Sequence, residues 1–302
     1  MRVWISAVFI AVLLSSGAAH AEKPAVVATF SILADLTQRV GGDHVKVATL
    51  VGPDEDAHVF EPGPRESAKL AGARLLIANG AGFEPWLARL TTASGFAGIT
   101  VIATDGVTLR PVGAHDDHAE GEEHGEAAGH DPHAFQDLAN AQIYVANIAR
   151  GLSEIDPAHA SDFTANATAL TAQMQALDQE LKGAFAAIPE QRRRVLTSHD
   201  AFGYFAAAYG ITFVAVQGVT TEAEPSAENL AKIVRQARDG QVTAIFLENM
   251  ADPRLAETVA QESGVKIGGA LYADALSQSD GPAPDYLSLI RHNAEQLLDA
   301  LQ

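Results

Sequence analysis

The sequence predicts an α/β protein of two lobes, each a mostly parallel sheet flanked by helices, joined by one long spine helix. Three observations carry this expectation. Short apolar runs alternate with helical stretches along the chain, the pattern of βα units with a mostly parallel sheet. One helical pattern, from Pro157 to Ile188, is longer than any other. The same alternation appears on both sides of it. The 302 residues suffice for two domains with their own cores.

Residues 1–21 read MRVWISAVFIAVLLSSGAAHA. Arg2, the apolar run Val3–Leu14 and the small-x-small site Ala19-His20-Ala21 predict a secretory signal peptide cleaved after Ala21. The run is too short for a transmembrane helix, and no later stretch approaches ~18 uninterrupted apolar residues. A soluble protein of a bacterial periplasm is therefore expected, and without Cys it carries no lipid anchor at the cleavage site.

In the first half, Ala25–Phe30 is an apolar run that predicts a buried strand. A helical pattern follows at Ile32–Val40, closed by Gly41-Gly42. Strands are expected at Val45–Val51, Leu75–Ala78 and Thr100–Ala103, and helices at Glu66–Leu70, Phe83–Leu90 and Ala139–Leu152. Residues 113–130 interrupt the alternation with a His-, Asp-, Glu- and Gly-rich tract that has no apolar surface to bury.

The long helical pattern places Phe163, Leu170, Met174, Leu177, Leu181 and Phe185 on one stripe. Asp156 is the expected N-cap, Pro157 suits the first turn, and Pro189 ends the helix. At 1.5 Å per residue it measures roughly 45 Å, enough to join two halves.

In the second half, strands are expected at Arg194–Thr197, Thr212–Val216, Ala244–Leu247 and Lys266–Gly268. Helices are expected from Ala201 to Tyr209, from a Ser226 cap to about Arg238, from Pro253 to Glu262 and from Tyr286 to Leu301. The expected organisation is a signal peptide (1–21), an N-terminal lobe (22–155, with the 113–130 loop), a linking helix (156–189) and a C-terminal lobe (190–302).

Composition narrows the function classes. Twenty Lys and Arg face 38 Asp and Glu, for a formal charge of −18, which disfavours nucleic acid and anionic lipid as partners. The absence of cysteine excludes disulfides, thiolate metal sites and Cys nucleophiles. G-x-S-x-G, P-loop, H-E-x-x-H and G-x-G-x-x-G motifs are all missing, and nothing points to an enzyme.

The 11 histidines are more informative. His44, His159 and His292 sit in ordinary surface contexts. His58, His133 and His199 each lie at an irregular junction rich in turn residues, and Asp274 lies after the strand expected at Lys266–Gly268. The carboxyl ends of strands are where α/β sheets bind ligands. Spacing alone leaves two readings of these four open, a shared metal site or solvated loop residues.

At these residues the chain resembles the periplasmic solute-binding proteins of ABC importers for zinc and manganese, the ZnuA/TroA-like group. The marks are Val27–Ile32, Asp56–Pro62, Asp131-Pro-His133, Ser198–Phe205 and Leu271–Ser277, all in the family's order. The resemblance covers essentially the whole chain after the signal peptide. It implies two lobes on a long helix, with metal in the cleft, and puts the four metal ligands on His58, His133, His199 and Asp274. It further implies zinc rather than manganese, because zinc-type members carry His, and manganese-type members Glu, at the position of His199. Imidazole suits Zn2+, whereas Mn2+ favours oxygen.

The tract between His115 and His130 also resembles zinc-type members. Its His115, His118, His124 and His130, among six acidic residues, are candidate accessory zinc ligands. Glu61 is a candidate support for a ligand, or an alternative oxygen ligand, and Glu222 and Glu224 are candidates for loop solvation or a docking surface for the membrane permease. The expectation is a monomeric, non-enzymatic protein that captures Zn2+ as transported cargo and delivers it to the membrane permease of an ABC zinc importer, with another periplasmic protein as a conceivable zinc donor. The alternatives are a manganese-binding receptor of the same family and a zinc hydrolase using His58, His133, His199 and an Asp274 base.

Overall fold

The structure, a computed structural model, describes residues 22–112, 129–221 and 225–302. The signal-peptide expectation, most of the His-rich tract, Glu222 and Glu224 lie outside the described residues. None of the described helices is long and apolar enough to cross a membrane.

The first half runs β1 (Ala25–Phe30), α1 (Ser31–Gly41), β2 (Lys46–Val51), α2 (Pro64–Ala71), β3 (Leu75–Ala78), α3 (Leu87–Ser94), β4 (Ile99–Ile102) and α4 (Leu138–Ile155). Then comes the long helix α5 (Ala160–Ala186). The second half runs β5 (Arg194–Thr197), α6 (Gly203–Tyr209), β6 (Thr212–Ala215), α7 (Ala227–Gln236), β7 (Ala244–Glu248), α8 (Arg254–Ser263), β8 (Ile267–Leu271) and α9 (Tyr286–Leu301).

The strands form two parallel sheets, ordered β2-β1-β3-β4 and β6-β5-β7-β8. The two orders are the same, so each half has a point, between β1 and β3 or between β5 and β7, where successive connections run to opposite sides. Crevices at the carboxyl ends of strands form there. β3 is buried along its whole length and β1 along all but its first residue, because both faces are covered.

α5 ties the halves together. It packs on α1 and α4 at one end and on α6 and α9 at the other. Its buried residues are Phe163, Leu170, Met174, Leu177, Leu181 and Phe185, the stripe that the periodicity predicts. Burying each of these side chains contributes about 1.5–3 kcal/mol. Phe185 meets Phe205 and Tyr209 at ring-centroid distances of 5.8 and 5.5 Å, so one apolar core continues through both halves. A smaller cluster around Ile245, Val216 and Val259 completes the second half.

The halves also meet through polar straps. Asp54, in the left-handed region at φ 56°, donates its N–H to the Leu276 carbonyl at 2.9 Å and accepts from Asn249 Nδ2 at 2.9 Å. Leu276 N–H donates to Ser31 Oγ at 2.9 Å. Thr221 Oγ1 donates to Asp56 at 2.5 Å.

Several element bounds differ from expectation by a residue or two, and three differences have a local physical reason. Helix α3 starts at Leu87, not Phe83. Phe83 and Leu87 instead close turns onto Gly80 and Glu84, in a stretch whose Gly80, Ala81 and Gly82 have positive φ. Asp156 does not cap the long helix. Its carboxylate takes the His159 ring at 2.7 Å, and Pro157–His159 form a separate 3-10 turn. β8 extends to Leu271, past the expected Gly268.

Candidate metal centre

Four side chains from different parts of the chain converge where the two halves meet. His58 stands on the loop after β2, held by the Asp56 carboxylate on its backbone N–H at 2.8 Å. Trp86 Nε1 donates to the Ala57 carbonyl at 2.8 Å and fixes the same loop. His133 precedes α4, and the carbonyl of neighbouring Pro132 accepts from Asn79 Nδ2 at 2.9 Å. His199 follows β5, and Asp274 follows β8. All four are buried.

Their coordinating atoms lie within 4.8 Å of one another. His58 Nε2 is 3.2 Å from His133 Nε2 and 3.3 Å from an Asp274 oxygen. His199 Nε2 is 3.1 Å from that same oxygen, and His133 Nε2 is 3.5 Å from the other Asp274 oxygen. Four ligands at 2.0–2.1 Å around a tetrahedral ion stand ~3.3 Å apart. The four separations bracket that edge length. One Asp274 oxygen has no hydrogen-bond partner among the described residues, although such buried groups ordinarily find one. A divalent cation fits this donor set of three nitrogens and one oxygen.

A ring of supports surrounds the four. Asp131 Oδ1 accepts from the His133 backbone at 2.9 Å and faces its Nδ1 at 2.8 Å. Glu248, at the end of β7, accepts from the His199 backbone at 2.9 Å and contacts its Nδ1. Tyr204 of α6 donates to the Asp131 carbonyl at 2.9 Å. Buried Glu84 accepts from Thr29 Oγ1 at 2.6 Å and from the Asn79 backbone at 2.7 Å. Phe83 packs against His58 and His133 at centroid distances of 4.8 and 5.8 Å.

The site is strongly coupled electrically. Burial pulls the His133 imidazole down, but the Asp274 and Asp131 charges outweigh it and raise its pKa to about 9. His199 is likewise penalised by burial, yet Glu248 and Asp274 hold it well above the usual histidine range. Burial raises Asp274, and the His133 and His199 charges overcome that and hold it well below the usual carboxylate range. Burial pushes Glu84 up despite its hydrogen bonds.

The other candidates lie elsewhere. His115, His118 and His124 fall outside the described residues. His130 is exposed and sits in an antiparallel bridge with Pro111. Glu61 is exposed, so it does not back a ligand. The supporting carboxylates are Asp131 and Glu248, which the sequence reading missed. Asp131 carried a readable signal, an acid two residues before a candidate His. Glu248 carried none beyond its place at a strand end. His44 and His159 stack on each other at 3.9 Å, and His292 meets the Ala270 carbonyl at 3.0 Å.

Comparison with known proteins agrees with this architecture. The family model described as zinc-uptake complex component A, periplasmic, matches residues 26–300. The iron-binding protein YfeA of Yersinia pestis is 32% identical, over 92% of this chain and 86% of its own. The manganese ABC transporter substrate-binding lipoprotein PsaA of Streptococcus pneumoniae is 30% identical, over 95% and 92%. Among solved structures, the periplasmic zinc binding protein TroA of Treponema pallidum superposes with a TM-score of 0.83 at 26% identity, covering 92% of this chain and 99% of that one. A manganese-bound periplasmic metal binding protein of Candidatus Liberibacter asiaticus gives 0.81 at 28% identity, over 93% and 100%. The chain belongs to the zinc-uptake complex component A family, the ZnuA/TroA-like metal solute-binding proteins of ABC importers.

Proposed function

We propose that this solute-binding protein captures Zn2+ through His58, His133, His199 and Asp274 and delivers it to the permease of an ABC zinc importer. The observation that carries this reading is the set of three imidazole nitrogens and one carboxylate gathered within 4.8 Å, with several pairs near the tetrahedral edge distance and His at position 199. Nitrogen donors and four-coordination favour Zn2+ over Mn2+, which is harder and prefers oxygen. Four protein ligands leave no open position for an activated water, in keeping with a carrier rather than a catalyst.

In this reading residues 22–155 and 190–302 act as two lobes on the 156–189 link. The protein works as a monomer in the periplasm after cleavage at Ala21. The His-rich tract, flanked by the Val112–Gly129 hydrogen bond at 3.0 Å, collects zinc weakly.

A second reading, manganese or iron as cargo, has one observation in its favour, the names borne by YfeA and PsaA. Competition decides between them. Calorimetric titration of metal-free protein with Zn2+, alone and with Mn2+ or Fe2+ in excess, should show one tight zinc equivalent that neither ion displaces. Displacement by Mn2+ or Fe2+ at comparable concentration would contradict zinc as the cargo.

A further inference from the structure

Glu248 is a buried acid with an unusual set of partners. Its side chain is fully inaccessible, and among the described residues no lysine or arginine pairs with it. Among the described residues both of its oxygens are committed to one residue, His199: Oε1 to the backbone N–H at 2.9 Å and Oε2 to the ring Nδ1. A buried carboxylate without a cationic side chain is costly to keep. The first half repeats the device, because Asp131 grips both the backbone N–H and Nδ1 of His133. His58 lacks it: Asp56 takes only its backbone N–H, and its buried Nδ1 has no partner among the described residues.

We infer that Glu248 is a specificity-determining positioning residue, which fixes His199 as an Nε2 ligand and strengthens that nitrogen toward zinc. The inference rests on the zinc reading above. When Nδ1–H donates to Glu248, the tautomer is set and the Nε2 lone pair faces the other three ligands. The carboxylate also polarises the ring, so Nε2 becomes a stronger donor. Zn2+ takes more of its binding energy from nitrogen than the oxygen-preferring Mn2+ does. The grip on the backbone N–H holds the strand-to-helix junction at the same time, so the ring needs no search for its place.

The test is Glu248→Gln in the full mature protein. The amide oxygen still accepts a hydrogen bond but carries no charge. Zn2+ and Mn2+ affinities are measured by competition with a chelator, and the zinc-loaded protein is examined by NMR with 15N-labelled histidine. Zinc affinity should fall roughly tenfold to hundredfold, and manganese affinity less. The Nδ1–H resonance of His199 should move upfield. Unchanged zinc affinity, or equal losses for both ions, would overturn the role of Glu248. Should the variant fail to fold, the wild-type spectrum decides. Nε2 bound to zinc with Nδ1 protonated supports the inference, and zinc on Nδ1 overturns it. His199→Ala separates the two levels. Loss of tight zinc binding there, with Glu248→Gln unaffected, defeats only the role of Glu248. Full affinity in His199→Ala defeats the ligand set and this inference with it.

Discussion

Raising the pH from 6.5 to 9 should tighten zinc binding, and His133 sets the size of the effect. In the metal-free protein its imidazole holds a proton up to about pH 9, against 6.5 for an ordinary histidine. Zinc needs the neutral ring, so each ion must expel that proton. The gap is worth about 3 kcal/mol, or roughly 300-fold in apparent affinity across the interval. His199, raised in the same direction, adds to it. Stability moves the other way without metal. The protonated His133 contributes stability that is complete below 6.5 and lost as the pH rises through about 9. The lowered pKa of Asp274 contributes stability above 3.8 that is lost only as the pH falls through its lower native value, so it is constant over this window. Zinc takes the place of the lost proton, and the gap in melting temperature between zinc-loaded and metal-free protein should widen with pH. Chelator competition at several pH values, paired with thermal melts, measures both. A flat affinity between 6.5 and 9, or metal-free protein that gains stability over that interval, would refute the coupling of these imidazoles to Asp274.

Other consequences concern packing and the His-rich tract. A Cβ on Gly151 of α4 would lie 2.4 Å from Val101 Cγ2, so Gly151→Ala should cost about 1–3 kcal/mol by overpacking, despite alanine's better helix propensity. Urea unfolding checks it, and a gain in stability would contradict the close helix-to-sheet approach. A Cβ on Gly203 would lie 2.7 Å from the Asp131 carboxylate. Gly203→Ala should therefore push Asp131 off His133 and weaken zinc binding roughly tenfold, and unchanged affinity in a titration would show that Asp131 does not matter. Deleting residues 115–128 should leave the tight zinc equivalent intact and remove only weaker ones. Loss of the tight equivalent by calorimetry would move the main site into the tract.

Much of this architecture was legible because both faces of a parallel sheet are covered. Strands such as Leu75–Ala78 then read as unbroken apolar runs, and the α5 stripe reads as helical spacing. Where local signals were weak, the reading slipped. Gly268 and Gly269 look like the end of a strand, yet β8 continues to Leu271 through its pairing with β7, Phe246 to Gly269, Leu247 to Ala270 and Glu248 to Leu271. A Cβ at Gly268 would meet the Phe246 ring at 2.8 Å and Ala300 Cβ at 3.0 Å, and no local sequence signal shows that packing. The site was half legible. His58, His199 and Asp274 follow strands, where the fold gathers ligands, but their meeting with His133 depends on how the halves are seated. Glu248 was invisible for a related reason. An acid at a strand end reads as solvated, and its hydrogen-bond partner His199 lies 49 positions earlier in the chain.

The most direct measurement is the zinc K-edge X-ray absorption spectrum of mature protein loaded with one equivalent of zinc. The account predicts four nitrogen or oxygen neighbours at about 2.0–2.1 Å, with the outer-shell scattering of three imidazoles, one of which disappears in His199→Ala. A six-coordinate shell of oxygens without imidazole scattering would contradict it.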